Sequence, residues 1–409
     1  MKLIRSFLGT ALVVIVCQVA LMAQMGDQHR HEMGEKLGRV NFATSCNKAA
    51  QQQFNRAVAL LHSFWYDEAA KGFLEATKSD PKCGMGYWGI AMSLYHPVWA
   101  PPVAAELQKG LAATQKASAV SARTPRERDY IKAIGTFYRD TDKLDHRTRA
   151  LAYEKAMEQL QLQYPKDDEA AIFYALSLLG TALPTDKTYT NQKKAAAILN
   201  KVLLAEPQHP GVAHYLIHSF DYPALAPLAL TAARSYAKIA PSSPHALHMP
   251  SHIFTRLGLW QESIESNIAS AQAARNHMVK TAGNLGAKDE LHAMDYLAYA
   301  YLQSAQDSKA KEIVDLTLRI DKVDEEIFQV AYALAAIPAR YTLERRQWSA
   351  AAALKAQPSS EPAQVSLLES FKAKVDLLQD TVGLINEMRR GAAADVGGRR
   401  TPSGLSQKD

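Results

Sequence analysis

The sequence predicts an all-α protein, an α-solenoid in which pairs of helices stack on one another. The first observation is an internal repeat: His214 and His218 recur as His248 and His252, each 34 residues further along the chain. The second is that small residues recur at the same offset behind both pairs, and the first copy closes with Pro241. Repeats of this length are helix–turn–helix units. The third is a 47% hydrophobic content with only 20 glycines among 409 residues, which suits a chain that buries many small helix faces.

The N-terminal stretch has the pattern of a removable export signal. Residues 1–23 begin with Lys2 and Arg5 and continue as an apolar run, which is typical of a secretory signal peptide. Residues 24–48 are polar and lack helical period, so we expect a flexible leader there. No later apolar run is as long as a membrane span, and none is expected once the signal is removed. The protein is therefore expected to be exported, either periplasmic or secreted.

The repeats are expected to fill residues 49–357. The first two pairs begin near Ala50 and Gly84. The third begins at Pro125, with Thr124 as the helix N-cap and the proline at the first helical position. A fourth pair follows, and the fifth and sixth are the twin repeats that carry the histidine pairs.

The C-terminal part is expected to hold two further pairs and a cap. Residues 289–318 and 324–354 are predicted to form the seventh and eighth pairs, the latter with a kink at Pro338. Apolar residues recur at near-heptad spacing over residues 362–390, which predicts a capping helix over the last exposed face. Residues 391–409 mix glycine with charged and polar residues and are predicted to be disordered.

The spacing of small, aromatic and proline residues resembles a known repeat family. The consensus positions of the tetratricopeptide repeat (TPR) are matched in the first unit by Ala57, Ala69, Phe73, Ala76 and Pro81. The chain resembles the TPR superfamily over most of residues 50–355, and the segments at residues 61–66 and 248–254 are similar to stretches in a group of exported bacterial proteins of this fold. This resemblance implies a right-handed superhelix of about eight helix pairs with a partner-binding concave groove. It implies no catalytic residues.

The resemblance also predicts which side chains face the groove, because the first helix of each pair lines the concave surface. Counting in register through the fifth, sixth and seventh repeats predicts nine groove residues that contact a ligand. They are His214, His218, Asp221, His245, His248, His252, His292, Asp295 and Tyr299.

Histidines at this spacing suit a metal ion. Side chains four apart on a helix lie about 5–6 Å apart, so both rings of a His-x-x-x-His pair can reach one ion, and a neighbouring helix about 8–10 Å away can complete the set. Imidazole suits zinc, copper, iron and nickel, and zinc or copper is the ion expected here. The predicted ligands are His214, His218, His248, His252 and His292, and Asp295 is predicted to bind the ion or to orient a ring.

The alternative interpretation gives these histidines no metal. Rings on a groove wall can bond a neighbouring backbone, stack on aromatic residues or contact a peptide, and an internal duplication can copy a histidine for packing reasons. Pro250 is expected to disturb the helix between His248 and His252, which counts against a shared ion. His62 and His96 also lie 34 residues apart, late in their helices, and a structural role is expected for both.

Two cysteines outside the signal, Cys46 and Cys83, precede the first helices of two neighbouring repeats. The starts of such helices lie side by side in a solenoid, so a disulfide between them is an expectation for an exported protein. The alternative is two buried thiols.

The leading functional hypothesis is a non-catalytic exported scaffold that binds a protein, peptide or extended ligand in the groove. A metal-binding protein that uses the histidine cluster is the alternative, and a metal-dependent hydrolase is the second alternative. No His-Glu-x-x-His helix, Gly-x-Ser-x-Gly turn or phosphate-binding glycine loop supports an enzyme. The formal net charge of +6 forms no basic stripe interleaved with aromatic residues, so nucleic-acid binding is not expected. The sequence leaves the partner, the metal and the oligomeric state open.

Overall fold

The computed structural model describes residues 35–98, 101–120, 122–281, 287–320, 322–323 and 328–354. These residues are largely helical and include no strand, which confirms the predicted all-α class. None of the described helices is both long enough and apolar enough to cross a membrane. The predicted signal, capping helix and C-terminal tail lie outside the described residues. The chain divides into two compact units, one ending at Ala273 and the other beginning at Ala274.

The first unit consists of successive helix pairs. In chain order its helices are α1 (Lys48–His62), α2 (Tyr66–Ser79), α3 (Gly84–Met92), α4 (Ala104–Ala119), α5 (Pro125–Tyr138), α6 (His146–Gln163), α7 (Asp168–Thr181), α8 (Thr190–Ala205), α9 (Pro210–Phe220), α10 (Leu230–Ile239), α11 (Pro244–His248) and α12 (Pro250–Arg256). The next helix, α13 (Trp260–Thr281), runs across the division. Neighbouring helices pack on each other, and α9 also packs against α7 and α1.

Local sequence signals set several helix ends. Thr124 caps α5: its hydroxyl accepts the backbone N–H of Glu127, and the Glu127 carboxylate accepts the N–H of Thr124, both at 3.2 Å. This reciprocal capping box and the following Pro125 confirm the predicted start. The disturbance expected at Pro250 is also confirmed, because α11 ends at His248 and α12 begins at Pro250.

Residues 35–47, which we call the N-terminal strap, differ from the flexible leader expected there. Leu37 and Phe42 are buried. The strap is hydrogen-bonded to residues just before the first helices of the sixth, fifth and second pairs. The bonds are Ser242 N–H to Lys36 O (3.1 Å), Arg39 N–H to Gln208 O (2.9 Å) and Asn47 N–H to Asp80 Oδ2 (2.9 Å).

The Phe42 ring of the strap packs on the first helices of four pairs, whose shared surface we call the inner surface. It contacts Phe54 of α1, Trp88 of α3, Tyr130 of α5 and Phe173 of α7, with centroids 5.3, 5.5, 5.0 and 6.4 Å away. Aromatic side chains bury large areas and favour such edge and tilted contacts.

A disulfide joins the end of the strap to the start of the second pair. Cys46 and Cys83 are bonded, with their Cα atoms 5.0 Å apart, which lies within the range that disulfides require. A covalent bond therefore fixes the position of this end of the strap relative to the second pair.

The second unit contains α14 (Lys288–Gln303), α15 (Asp307–Thr317), α16 (Phe328–Glu344) and α17 (Trp348–Ala352). The first two of these match the predicted seventh pair. Its core includes Leu291 and Met294 from α14, packed with Val330 and Leu334 from α16. Pro338 lies inside α16, which continues past it to Glu344.

Candidate metal centre

The first unit brings five of the predicted histidines into two groups. We call His214, His218 and His245 the three-histidine cluster, and His248 and His252 the two-histidine cluster. All are buried except His218, which is partly buried. His245, predicted only to contact a ligand in the groove, joins His214 and His218, and the histidines that were predicted to converge form two groups.

The Nε2 atoms of the three-histidine cluster converge. The Nε2 of His214 lies 3.1 Å from the Nε2 of His218 and 3.1 Å from the Nε2 of His245. Two nitrogens bound to one tetrahedral zinc at about 2.0–2.1 Å would lie about 3.3–3.4 Å apart. The rings are therefore within a few tenths of an ångström of the spacing that a shared ion needs.

The proton of His214 is assigned by its backbone partner. Its Nδ1 lies 2.6 Å from the carbonyl oxygen of His62. A carbonyl only accepts hydrogen bonds, so Nδ1 carries the proton and, in the neutral ring, Nε2 carries a lone pair. That lone pair faces both other rings of the cluster.

Aromatic side chains enclose the three-histidine cluster. The ring of Phe64 lies against His214, His218 and His245, with centroids 4.4, 5.5 and 5.7 Å away. Tyr236 stacks on the His214 ring at 5.1 Å. These contacts exclude water from one side of the cluster and hold the imidazole planes.

The two-histidine cluster has its outer nitrogens bonded to side-chain acceptors. The Nε2 atoms of His248 and His252 are 3.0 Å apart, although the helix is interrupted between them. The Nδ1 of His248 donates to Asn267 Oδ1 at 2.6 Å, and the Nδ1 of His252 donates to Asp221 Oδ2 at 2.8 Å. Asp221, expected either to contact a ligand or to orient a ring, is hydrogen-bonded to His252 Nδ1 and so holds that ring.

Burial favours the neutral form of two rings in the three-histidine cluster. It lowers the pKa of His214 well below its ordinary value, and the neighbouring His218 adds to this effect. Burial, followed by His252, lowers the pKa of His218 to about 3. Burial alone would raise the pKa of Asp221, but His252 and Arg256 outweigh it and lower that pKa to about 2. His214 and His218 therefore offer neutral rings, the form that binds metal.

Three further predicted site residues belong to the second unit. Asp295 forms an ion pair with Arg340, whose guanidinium lies over the ring of Tyr299 at 5.3 Å. Burial raises the pKa of Asp295, and Arg340 opposes the rise. His292 lies against Tyr296, with centroids 5.6 Å apart. A role for His292 or Asp295 in binding metal stays a prediction.

A buried triad was missed from the sequence. The Nε2 atoms of His62 and His209 donate to the two oxygens of Glu169 at 2.9 and 3.0 Å, and the hydroxyl of Tyr215 lies 2.9 Å from Nδ1 of His62. Each carboxylate oxygen has an N–H donor, so hydrogen bonding accounts for the triad without an ion. The structural role expected of His62 agrees with this. Glu169 and His209 both lie at the start of first helices. This shared position is the sequence signal that could have predicted their contact.

Comparison with protein-family models and with curated proteins gives no match. The structure defines an all-α protein with a buried group of imidazoles in its first unit.

Proposed function

We propose that this protein is an exported helical-repeat protein of the TPR type that binds a transition-metal ion, zinc or copper, through His214, His218 and His245. One observation carries the proposal. The Nε2 of His214 meets two other imidazole Nε2 atoms at 3.1 Å, while its own proton is held at Nδ1 by the carbonyl of His62.

Hydrogen bonding between the rings accounts poorly for this arrangement. The lone pair of His214 faces two other rings, which cannot both donate to it with good geometry. Bringing three imidazoles together in a buried site also costs the hydration of each. An ion offsets both costs, because all three lone pairs then bind it. Three histidines plus an open fourth position are a known zinc coordination.

The repeat type is supported by the placement of the two histidine pairs. His214 and His218 lie on α9, and their counterparts 34 residues later, His248 and His252, lie on the first helices of the next repeat, α11 and α12. Export is supported by the Cys46–Cys83 disulfide, since disulfides persist in oxidising compartments.

The scaffold hypothesis has less support in the first unit. A peptide would need the inner surface of the first helices, and Phe42 of the strap already contacts four of them. Converging imidazoles favour a small ligand such as an ion over an extended one.

Metal titration of the full chain tests the proposal. Protein stripped with a chelator should take up zinc or copper at the three-histidine cluster, measured by calorimetry and elemental analysis. The double variant H214Q/H218Q should bind one ion fewer and keep its helical circular dichroism. The matched control, H146Q/H277Q, also removes two histidines, but outside both clusters, and should bind as the wild type does. Stripped wild type that takes up neither ion would contradict the proposal, as would H214Q/H218Q binding at wild-type stoichiometry and affinity.

A further inference from the structure

The two-histidine cluster lies one repeat after the three-histidine cluster and shares its main feature, imidazole Nε2 atoms that converge. We propose that His248 and His252 bind a second transition-metal ion, so that each chain carries two ions. This goes beyond the proposed function, which concerns only the three-histidine cluster.

The first argument is the protonation of His248. Its Nδ1 lies 2.6 Å from the Oδ1 of Asn267. The amide cannot turn its nitrogen towards the ring, because Asn267 Nδ2 donates to the carbonyl oxygen of Ser263 at 2.8 Å. An oxygen therefore faces the ring, the proton lies on Nδ1, and the neutral ring has its lone pair on Nε2.

The second argument is the protonation of His252. Its Nδ1 lies 2.8 Å from a carboxylate oxygen of Asp221, which accepts hydrogen bonds only. The proton of the neutral ring is again on Nδ1. The two Nε2 atoms, 3.0 Å apart, therefore meet lone pair to lone pair. Two lone pairs that converge in this way are an arrangement of donors that one cation can bind.

Asp221 supports a metal ion at this site. One of its carboxylate oxygens accepts the Nδ1 proton of His252, and the other lies 3.0 Å from Arg256 Nε. A metal ion gains bonds from both lone pairs, and the carboxylate raises the basicity of the ring that binds it.

Two ions fit better than one because the donors form two groups. The ligand atoms of His214, His218 and His245 all lie within 4.8 Å of one another, and His248 and His252 belong to a separate group. The Nε2 atoms converge within each group, at 3.1 Å in the first and 3.0 Å in the second.

Stoichiometry separates the possibilities. Chelator-stripped full-length protein, titrated with zinc and separately with copper(II), should bind two ions per chain. Each double variant, H214Q/H218Q and H248Q/H252Q, should bind one. N267A should weaken one of the two ions about 10- to 100-fold and leave the other unchanged, and it provides a test that keeps all five rings should a double variant fail to fold.

Three outcomes overturn the inference. If wild type and H248Q/H252Q each bind one ion, only the three-histidine cluster is a metal site. If wild type binds one ion and both double variants lose it, one ion is shared by both groups. The proposed function survives in both cases. If stripped wild type binds no ion, the inference and the proposed function both fail.

Discussion

Asn267 accepts a hydrogen bond from the ring of His248 and donates another to the backbone of its own helix. Its Oδ1 accepts from the ring Nδ1 at 2.6 Å, and its Nδ2 donates to the backbone oxygen of Ser263 at 2.8 Å. The side chains of Asn267 and His248 are both buried. One buried amide thus fixes which nitrogen of the imidazole is protonated and where the other points, which is how outer partners tune metal-binding histidines.

Asn267 substitutions should separate this orienting role from packing. N267A removes the acceptor and should weaken metal binding by about 10- to 100-fold, the usual effect of losing an outer partner. N267D keeps an oxygen facing Nδ1 and should bind more tightly than N267A, measured by competition with a chromophoric chelator. The control is S270A, which alters another buried polar residue of α13, one that bonds Pro244 O. Equal affinities for N267A and N267D would contradict the prediction.

The 34-residue repeat period predicted the helix pairs that carry the candidate metal site. It placed His214, His218, His248 and His252 on equivalent faces of successive first helices, because a 34-residue offset preserves position within the helix pair. Capping chemistry placed the start of α5 at Thr124 for a similarly local reason. Such signals depend on residues close together in sequence.

The remainder depends on contacts between distant parts of the chain. Phe42 lies in a segment with no periodicity, because the strap crosses the helices and does not join their repeat. His214 takes its Nδ1 acceptor from His62, 152 positions earlier, and Glu169 gathers its two histidines from α1 and from the residue before α9. Register predicts the face of a helix that its residues occupy. It does not predict which helices distant in sequence pack together, as α1 and α9 do.

Removing the charge of Glu169 should destabilise the first unit. E169Q leaves one oxygen for two imidazole donors, so one buried N–H loses its acceptor, at a cost of about 1–3 kcal/mol. Urea unfolding followed by circular dichroism measures the change. The control E265Q alters an exposed glutamate on α13 and should leave the midpoint unchanged. A wild-type midpoint for E169Q would mean that the triad contributes nothing to stability.

The same carboxylate should make stability fall at low pH. Burial would raise the pKa of Glu169, but His209 and His62 outweigh it and hold the pKa well below its ordinary value. A carboxylate with a depressed folded pKa adds stability above its unfolded pKa, about 4.3, and loses it as the pH falls below that value. Thermal midpoints between pH 7 and pH 3 should therefore decline more steeply for wild type than for E169Q. If the midpoints of wild type and E169Q fell equally with pH, the predicted contribution of the Glu169 carboxylate would be contradicted.

The disulfide should contribute stability to the second pair and the strap. Cys46 and Cys83 are 37 positions apart, and closing a loop of this size is worth about 2–4 kcal/mol. C46S/C83S should unfold at lower urea than oxidised wild type. Reductant should lower the wild-type midpoint towards that of the double variant and leave the double variant unchanged. A double variant that responds to reductant as strongly as wild type would show that the effect arises elsewhere.

Phe42 should be essential for the stability of the first unit, although its sequence segment was expected to be a flexible leader. Its ring is fully buried among side chains from four helix pairs, so F42A should leave a cavity in the inner surface and cost about 3–5 kcal/mol. F42L, which keeps most of the volume, should cost less. L204A provides the control, because Leu204 on α8 is 87% exposed and its truncation should leave the midpoint unchanged. If F42A unfolded at the same urea concentration as L204A, the strap would contribute little to the fold, and the inner surface would again be available to a peptide.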